Sequence, residues 1–175
     1  MKYKTATNDM GNDFYTSSIL PVSGIIIKIC RAYTDNQIDF EDYYQEVCLQ
    51  IWRSRDNFKN QSEWSTWVYR LTLNVCLTLL KKRKNNDKHF ASDTLADENT
   101  VEEQTTENNQ FFEERSLNQL YTAIRKLSEI DRAVILLYLE EKSYQEIADI
   151  IGTKSNNIGV RINRIKERLN KLIEV

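Results

Sequence analysis

The stretch EWSTWVYRLTLNVCLTLLKKRKNN, residues 63–86, decides the fold class of this chain. Its apolar residues recur at the three- and four-residue intervals of one helix side. They form a stripe containing Trp64, Trp67, Val68, Leu71, Val75 and Leu79. The stripe is widened by Tyr69, Leu73, Cys76 and Leu80. A helix that is apolar on most sides must be largely buried, which predicts a helical core around this segment.

The composition indicates an all-α protein. Only one of the 175 residues is proline and four are glycine, although sheets need turns and turns use both residues. The longest unbroken apolar run, residues 133–139, is far shorter than a membrane span. The N-terminus also lacks the apolar segment of a secretory signal. We therefore expect no membrane insertion.

The cysteine and histidine residues lack the spacing of a metal site or a disulfide framework. Cys30, Cys48 and Cys76 are widely spaced within apolar stretches, which predicts buried thiols in a reducing cytosol. The single histidine, His89, has no nearby cysteine or second histidine. Gly-rich phosphate loops, paired-histidine motifs and nucleophile elbows are absent from the sequence. We expect no metal, no cofactor, no catalytic residue and a cytoplasmic location.

Charge divides the chain into three parts. Residues 91–114 carry eight acidic residues and no basic residue, whereas the parts on either side each have a net charge of +3. The acidic part has no apolar periodicity, and its few apolar residues cannot offset the entropy of ordering it. We predict a flexible linker at 91–114 between two small helical domains, 1–90 and 115–175. The alternative is a solvated loop inside one domain, but loops this long are uncommon in compact domains.

Helical periodicity predicts three helices before the linker. The first covers about residues 22–33. The second starts at Asp39, a suitable N-cap with acidic residues in the first turn, and the third is the quoted stretch. In the second helix a core stripe contains Phe40, Tyr44, Val47, Cys48, Ile51 and Trp52.

Four shorter helices are predicted after the linker. The first covers about residues 117–127. Two Ser-x-x-acid sequences have the form of a capping box and begin the next two helices, at Ser128 and Ser143. The third helix stops at Gly152, and the last runs from about Ser155 towards the C-terminus.

The sequence SYQEIADIIGTKSNNIGVRINRIKERL, residues 143–169, has the pattern of a helix-turn-helix unit. Ala148 permits a close helix approach and Gly152 permits the tight turn. Opposite the apolar stripe of the last helix lie Asn156, Asn157, Arg161, Asn163, Arg164, Lys166 and Arg168. Asparagine and arginine bond bidentately to adenine and guanine edges, and basic residues neutralise phosphates. The pattern favours DNA binding over an amphipathic terminal helix with a solvated basic face.

The second helix presents an acidic, amide-bearing outer face. It contains Asp42, Gln45, Glu46, Leu49 and Arg53. An exposed leucine among acidic residues suits docking on a basic protein surface better than on DNA. A solvated helix face remains the alternative.

Two segments resemble one family. DFEDYYQEVCLQIWRSRDNF, residues 39–58, followed by EWSTWVYRLTLNVCLTLLKKRK, residues 63–84, resembles region 2 of bacterial RNA polymerase sigma factors. LSEIDRAVILLYLEEKSYQEIADIIGTKSNNIGVRINRIKERL, residues 127–169, is similar to region 4. Two such domains with only a linker between them are typical of the extracytoplasmic-function (ECF) subfamily. The resemblance covers about residues 20–86 and 115–172.

The resemblance implies a non-enzymatic subunit that gives core RNA polymerase its promoter specificity. Its partners would be core polymerase (β′ clamp helices and β flap), promoter DNA and an anti-sigma factor. The polymerase-binding residues would be Asp42, Gln45, Glu46 and Leu49. The −10 element would be opened and bound by Phe58, Asn60, Ser62, Glu63, Trp64, Trp67, Arg70, Asn74, Thr78 and Lys81. The −35 element would be bound by Lys154, Ser155, Asn156, Asn157, Arg161, Arg164, Lys166 and Arg168.

The resemblance also implies roles for the two ends of the third helix and for the start of the last helix. Most of its aromatic and aliphatic surface is core, but Trp64 is expected to be exposed to unstacked bases. Residues 81–84 would hold phosphates, although a basic C-terminal end also complements the helix dipole. In the last helix Asn156 and Asn157 are expected to read bases, while Arg161 suits either role.

The sequence departs from the family pattern at several positions. Thr78 replaces the usual aspartate, and the loop before the tryptophans lacks its common glycine. Lys154 stands where an N-cap serine normally begins the recognition helix, and Gly159 and Val160 replace a usual Lys-Ser pair. Fold and role survive these changes, whereas promoter sequence does not transfer. The remaining alternatives are a helix-turn-helix repressor or activator and a helical interaction protein without a DNA role.

Overall fold

The computed structural model describes residues 13–90 and 108–173, and every regular element in these two ranges is a helix. The first range contains α1 (Ser23–Tyr33), α2 (Gln37–Ser54) and α3 (Trp64–Phe90). The second contains α4 (Asn108–Arg125), α5 (Glu129–Leu139), α6 (Tyr144–Ile151) and α7 (Ser155–Ile173). The predicted all-α class with two helical domains is confirmed. None of the described helices is long and apolar enough to cross a membrane.

The first unit is a three-helix bundle with α3 at its centre. Its buried residues on α3 are Val68, Tyr69, Thr72, Leu73, Cys76 and Leu80. The predicted burial of α3 is therefore correct, but the most buried line lies to one side of the predicted stripe. Leu71, Val75 and Leu79 are only half-buried, because they line an open groove beside α2. On α2 the buried residues are Tyr43, Val47 and Ile51.

Helix α2 begins slightly earlier in the chain than predicted. Asn36, not Asp39, is the N-cap, and its side-chain oxygen accepts a hydrogen bond from the Asp39 backbone N–H at 2.8 Å. Asp39 lies in the first turn, where its carboxylate pairs with Arg83 of α3. Asparagine and aspartate cap equally well, so the long-range partner decides which residue takes each role.

Short helical turns precede α1 and extend the first unit. A π-helical turn (Tyr15–Ile19) is followed by a 3₁₀ turn (Leu20–Val22). Ile19 is buried, and the Tyr15 and Tyr44 hydroxyl oxygens lie 3.0 Å apart. The segment therefore packs across the bundle rather than away from it. A second 3₁₀ turn (Arg55–Asn57) follows α2.

The thiols lie in the apolar interior of the first unit. Cys30 and Cys76 are fully buried with their Sγ atoms 4.0 Å apart, and Cys48 is half-buried. Burial raises the pKa of the Cys48 thiol to about 11. The predicted burial is thus complete for two of the three cysteines.

The second unit contains the predicted helix-turn-helix. Ser143 and Glu146 form a full capping box: the Ser143 hydroxyl accepts from the Glu146 N–H, and the Glu146 carboxylate accepts from the Ser143 N–H. The Ser143 hydroxyl also donates to the Glu146 carboxylate at 2.7 Å, and this bond together with the one from the Ser143 N–H lowers the pKa of the Glu146 carboxyl. Gly152 ends α6 with a φ of 78°, a left-handed conformation that glycine adopts without steric cost. Both motifs are confirmed.

Two boundaries in the second unit differ from the prediction. The Ser128 box is half formed: the Ser128 hydroxyl accepts from the Asp131 N–H at 3.2 Å, but the Asp131 carboxylate bonds elsewhere. Helix α4 begins at Asn108, so residues 108–114 of the predicted linker are helical. This stretch, NNQFFEE, has no glycine or proline, so it contains no strong helix breaker. Linker residues 91–107 lie outside the described residues.

The two units pack directly against each other, which the sequence did not predict. The Tyr33 hydroxyl at the end of α1 donates to the Glu129 carbonyl at 2.7 Å, and Tyr33 is fully buried. Arg132 Nη1 donates to the Ala32 carbonyl at 3.3 Å, and its guanidinium lies over the Tyr33 ring. Ion pairs between described residues also cross the boundary: Lys28 with Glu140, Lys84 with Glu129, and Arg125 with Asp35.

Candidate nucleic-acid and protein interfaces

Helix α7 has a buried apolar side and a mainly polar exposed side, on which Val160 is the exception near the middle of the helix. Ile158, Ile162, Ile165 and Leu169 are buried against the second unit. On the other side the side chains of the expected −35 set are mostly exposed: Lys154, Asn156, Asn157, Arg164, Lys166 and Arg168. Ser155 and Arg161 are half-buried. The structure therefore brings the whole set onto one unit with its donors largely open to solvent.

Gly159 occupies a close contact between α6 and α7. A Cβ atom at this position would lie 3.2 Å from Cε2 of the Tyr144 ring. A larger side chain would require that ring to shift by a few tenths of an ångström. The glycine that departs from the family pattern thus has a packing role here.

Two basic residues of α7 already have partners in the second unit. Lys166 Nζ donates to the Tyr138 hydroxyl at 2.7 Å and lies 4.1 Å from the centre of its ring. Arg161 Nε donates to Asp131 Oδ1 at 2.6 Å. Asp131, Asn157, Arg161, Arg164 and Arg168 line one groove of about 640 Å³. Three arginines therefore line this groove with one aspartate.

The acidic face of α2 is accessible. Asp42 and Gln45 are exposed, and Leu49 is 39% exposed. Glu46 is half-buried, and its carboxylate accepts a hydrogen bond from Gln50 Nε2 at 2.7 Å. An exposed leucine beside carboxylates remains on the surface, as the sequence predicted, and this surface is not covered by the second unit.

A groove of about 520 Å³ runs between α2 and α3. It joins the acidic face of α2 to the polar stripe of α3, two surfaces that the sequence treated separately. Its lining residues include Glu46, Gln50, Trp67, Arg70, Asn74 and Thr78. The helical wheel of either helix alone contains no signal for this groove, since it forms only when the helices pack.

The tryptophans at the start of α3 belong to an aromatic cluster. The Trp64 and Trp67 rings stack with centroids 4.9 Å apart, and Phe58 packs against both at 5.1 and 5.7 Å. Phe14 lies against Trp64 and Trp52, at 6.2 and 5.2 Å. The cluster connects the N-terminal turns, the loop after α2 and the beginning of α3.

Trp64 is less exposed than expected. Its ring is half-buried, and its indole N–H donates to the Ser18 carbonyl at 2.8 Å. The segment around Ser18 precedes every predicted helix, so periodicity did not assign it a contact. The adjacent aromatic residues Phe14 and Tyr15 are the sequence signal that it packs inward.

The loop before α3 divides into an inner and an outer part. Phe58 is half-buried within the aromatic cluster, whereas Asn60, Ser62 and Glu63 are exposed. Asn60 has a φ of 54°, in the left-handed region that asparagine tolerates better than most residues. Asn60 therefore supplies a left-handed turn in a loop that contains no glycine.

The polar stripe of α3 is exposed but partly engaged. Arg70, Asn74, Thr78 and Lys81 all remain accessible. However, Arg70 Nη2 donates to the Asp149 carbonyl of α6 at 3.2 Å, and the Thr78 hydroxyl donates to the Asn74 carbonyl at 2.8 Å. Further along, Arg83 pairs with Asp39 and Lys84 with Glu129. Two residues of the basic run at 81–84 therefore have carboxylate partners.

Comparison with known proteins decides the family. Residues 22–86 match the family model Sigma-70 region 2, and residues 117–169 match Sigma-70, region 4. Together the two matches cover more than half of the chain. The chain belongs to the ECF sigma factors. Its function is promoter-specific transcription initiation with RNA polymerase.

Individual relatives of this sigma factor agree with that assignment. It is 28% identical over 153 residues to the ECF RNA polymerase sigma factor SigW of Bacillus subtilis, covering 83% of this chain and 81% of the relative. It is 28% identical over 148 residues to the ECF RNA polymerase sigma-E factor of Haemophilus influenzae, covering 78% and 75%.

Two solved structures share its fold. The sigma factor RpoE from Bartonella quintana, solved in complex with the anti-sigma factor NepR, has a TM-score of 0.71 at 21% identity. That match covers 94% of this chain and 98% of the other. CnrH, solved in complex with the cytosolic domain of CnrY, has a TM-score of 0.60 at 18% identity, covering 97% and 91%.

Proposed function

We propose that the two units of this sigma factor divide promoter recognition between them. The unit at residues 1–90 binds core polymerase and opens the −10 element, the unit at 115–175 binds the −35 element, and 91–114 joins them. One observation carries the proposal: an exposed acidic, leucine-bearing face on α2 and an exposed asparagine- and arginine-rich face on α7 occur in the same chain. The first suits a basic protein surface and the second suits DNA.

In the polymerase contact, the α2 face docks on the β′ clamp helices. Asp42 and Glu46 supply negative charge, Gln45 supplies hydrogen bonds and Leu49 supplies apolar contact. The half-buried Glu46 is oriented by Gln50, which reduces the entropy lost when it meets a cation. Region 4 makes a second contact, with the β flap.

In the −10 contact, the loop at 58–63 and the α3 stripe face the opened strand. The exposed loop residues Asn60, Ser62 and Glu63 lie beside the aromatic cluster. Asparagine, serine and carboxylate groups hydrogen-bond to base edges, and aromatic rings stack on unpaired bases. Trp64 and Trp67 form the aromatic surface of this site. The DNA strand continues along α3, where it contacts Arg70, Asn74, Thr78 and Lys81.

In the −35 contact, the N-terminal part of α7 enters the major groove. Asn156 and Asn157 read bases from the first turn, as in other helix-turn-helix proteins. Arg164, Lys166 and Arg168 hold phosphates from the later turns, with Lys154 and Ser155 at the helix start.

Binding both promoter elements requires the two units to separate. Elements centred about 25 base pairs apart are separated by about 85 Å of duplex at about 3.4 Å per base pair. In the packed arrangement Arg70 contacts Asp149, and the backbone from Asp149 to Asn156 spans at most about 25 Å. The packed form therefore corresponds to the protein away from its promoter.

The proposal includes three further properties: this sigma factor is not an enzyme, it works in the cytoplasm, and an anti-sigma factor controls it. Of the two solved structures of similar fold, RpoE was obtained with the anti-sigma factor NepR and CnrH with the cytosolic domain of CnrY. In this chain the α2 face and the α2–α3 groove are two accessible surfaces to which an anti-sigma factor would bind.

Run-off transcription with bacterial core polymerase tests the proposal. The wild-type chain should direct initiation at its promoter, and Asp42→Lys with Glu46→Lys should abolish it while helicity is retained. Glu141→Lys, an exposed acid of the second unit, is the control and should transcribe normally. Unchanged polymerase affinity in the double variant, with DNA binding intact, would indicate a helix-turn-helix repressor or activator instead.

A further inference from the structure

Asp131 and Arg161 form an ion pair in the groove along α7. Arg161 Nε donates to Asp131 Oδ1 at 2.6 Å, and the aspartate side chain is 19% exposed against 40% for the arginine. Asp131 lies in the first turn of α5, where its backbone N–H is held by the Ser128 hydroxyl. The carboxylate therefore stands on a rigid support outside the recognition helix.

The hydrogen bond through Nε leaves one edge of the guanidinium available. A guanidinium has five N–H donors. Among the described residues, Arg161 uses its side-chain donors in one hydrogen bond, to Asp131. Its two Nη groups form a planar fork that matches the O6 and N7 acceptors of guanine. Asn157 and Arg164, one turn before and after Arg161, line the same groove.

The charge of Asp131 favours base reading over phosphate holding at this position. A carboxylate 2.6 Å from Arg161 offsets its positive charge and repels a phosphate brought to the same place. A basic residue that is already paired also releases fewer counterions on DNA binding. Arg164 and Arg168 have no carboxylate within ion-pair distance among the described side chains, so they are better placed to hold phosphates.

We propose that Asp131 is a positioning residue that fixes Arg161 to recognise one guanine of the −35 element. The proposal rests on the proposed function and goes beyond it, because it assigns base specificity to Arg161 and places its determinant on α5. Asp131 itself does not touch the base. It holds the guanidinium in one orientation before DNA arrives, which limits the conformational freedom lost on binding.

The test uses holoenzyme made from the full chain and bacterial core polymerase, with a duplex library randomised across the −35 element. Arg161→Ala should lower the preference for guanine at one base pair by about 10- to 100-fold. Asp131→Asn, which keeps the side-chain shape, should lower the same preference by about three- to tenfold and raise the affinity for all other sequences. Glu167→Gln removes a negative charge from exposed α7 surface and should raise affinity without changing preference.

A double-mutant cycle separates positioning from a merely structural effect. In the Arg161→Ala background, Asp131→Asn should cause no further loss of base preference, because its action passes through Arg161. Wild-type preference in Asp131→Asn, or a change at a different base pair, would overturn the proposal. The proposal would also be overturned if Arg161→Ala kept the wild-type base preference but lowered the dependence of log affinity on log salt concentration by about 1, because that is the result expected of a phosphate contact. A wild-type holoenzyme without any promoter preference would instead overturn the proposed function and this inference together.

Discussion

The polar stripe of α3 and the polar face of α7 carry similar side chains but differ in what surrounds them. On α7, Asn156, Asn157 and Arg164 are exposed. On α3, Arg70 donates to a carbonyl of α6, and Lys84 pairs with a carboxylate of α5. A donor that is already bonded must exchange one partner for another, so its net contribution to DNA binding is smaller. The bonded α7 donors, Arg161 and Lys166, have their partners within their own unit, whereas the α3 face is partly occupied by the other unit.

The boundary between the units nevertheless has features of an interface that opens. The Tyr69 hydroxyl is buried without a hydrogen-bond partner among the described residues, and burial together with the nearby Glu140 raises its pKa. A buried unsatisfied hydroxyl costs about 1–3 kcal/mol. A cavity of about 130 Å³ also remains between α3 and helices α5 and α6. Water reaches the Tyr69 hydroxyl and fills the cavity when the units separate, so both features lower the free energy needed to separate them.

The largest expected effect concerns the aromatic end of α3. Trp64→Ala should lower the free energy of unfolding by about 2–3 kcal/mol, because a half-buried ring and its hydrogen bond to Ser18 are lost. Trp64→Phe keeps most of the ring packing and should lose about 1 kcal/mol. Urea denaturation followed by circular dichroism measures both.

A functional assay then distinguishes the contribution of Trp64 to folding stability from a role in opening the DNA strands. Duplex binding should survive Trp64→Ala, whereas open-complex formation, followed by permanganate footprinting, should slow. A premelted template should rescue the variant if the ring acts on unpaired bases. Wild-type stability in Trp64→Ala would contradict the packing role that the structure gives this ring.

The next effect concerns the open face of α7. Asn157→Ala should relax the preference at one or two base pairs by about 1–3 kcal/mol each, because a bidentate contact to a base edge is lost. Asn170→Ala, the same substitution near the exposed end of the helix, is the matched control and should retain full preference. Binding of both holoenzymes to a randomised promoter library measures the difference. Equal profiles would remove Asn157 from the base-reading set.

A smaller effect should follow when one contact between the units is removed. Tyr33→Phe deletes the hydrogen bond to the Glu129 carbonyl, worth about 1 kcal/mol, and should shift the packed form towards the open one by about fivefold. Binding of a single-stranded −10 oligonucleotide to the free chain should rise by up to that factor. Tyr43→Phe is the control, since the Tyr43 hydroxyl is buried without a partner inside the first unit. A rise in both variants would exclude an effect specific to the boundary.

The smallest effect concerns a surface ion pair across the boundary. Lys28→Glu places two carboxylates together at Glu140 and should favour the open form by less than about 1 kcal/mol, with the effect fading at high salt. Lys28→Glu combined with Glu140→Lys should restore the packed form. The radius of gyration from small-angle scattering reports the change, and an identical radius for all three chains would show that the pair contributes nothing to closure.

Local features were predicted most accurately. The Ser143–Glu146 capping box and the Gly152 turn were correct because each depends on residues within one helical turn. Errors appeared where two local solutions are equivalent. Asn36 and Asp39 both suit an N-cap, and the ion pair of Asp39 with Arg83, from a distant helix, selected Asn36.

The sequence by itself determined the helical class, the two bundles, the helix-turn-helix and the polar faces of α2 and α7, because periodicity and caps act within a few residues. Only the tertiary structure decided which of those faces are occupied. Trp64 meets Ser18 across 46 positions, Tyr33 meets Glu129 across 96, and Arg161 meets Asp131 across 30. A helical pattern states which side of a helix is buried. It does not state which partner buries it, because that depends on how whole helices pack.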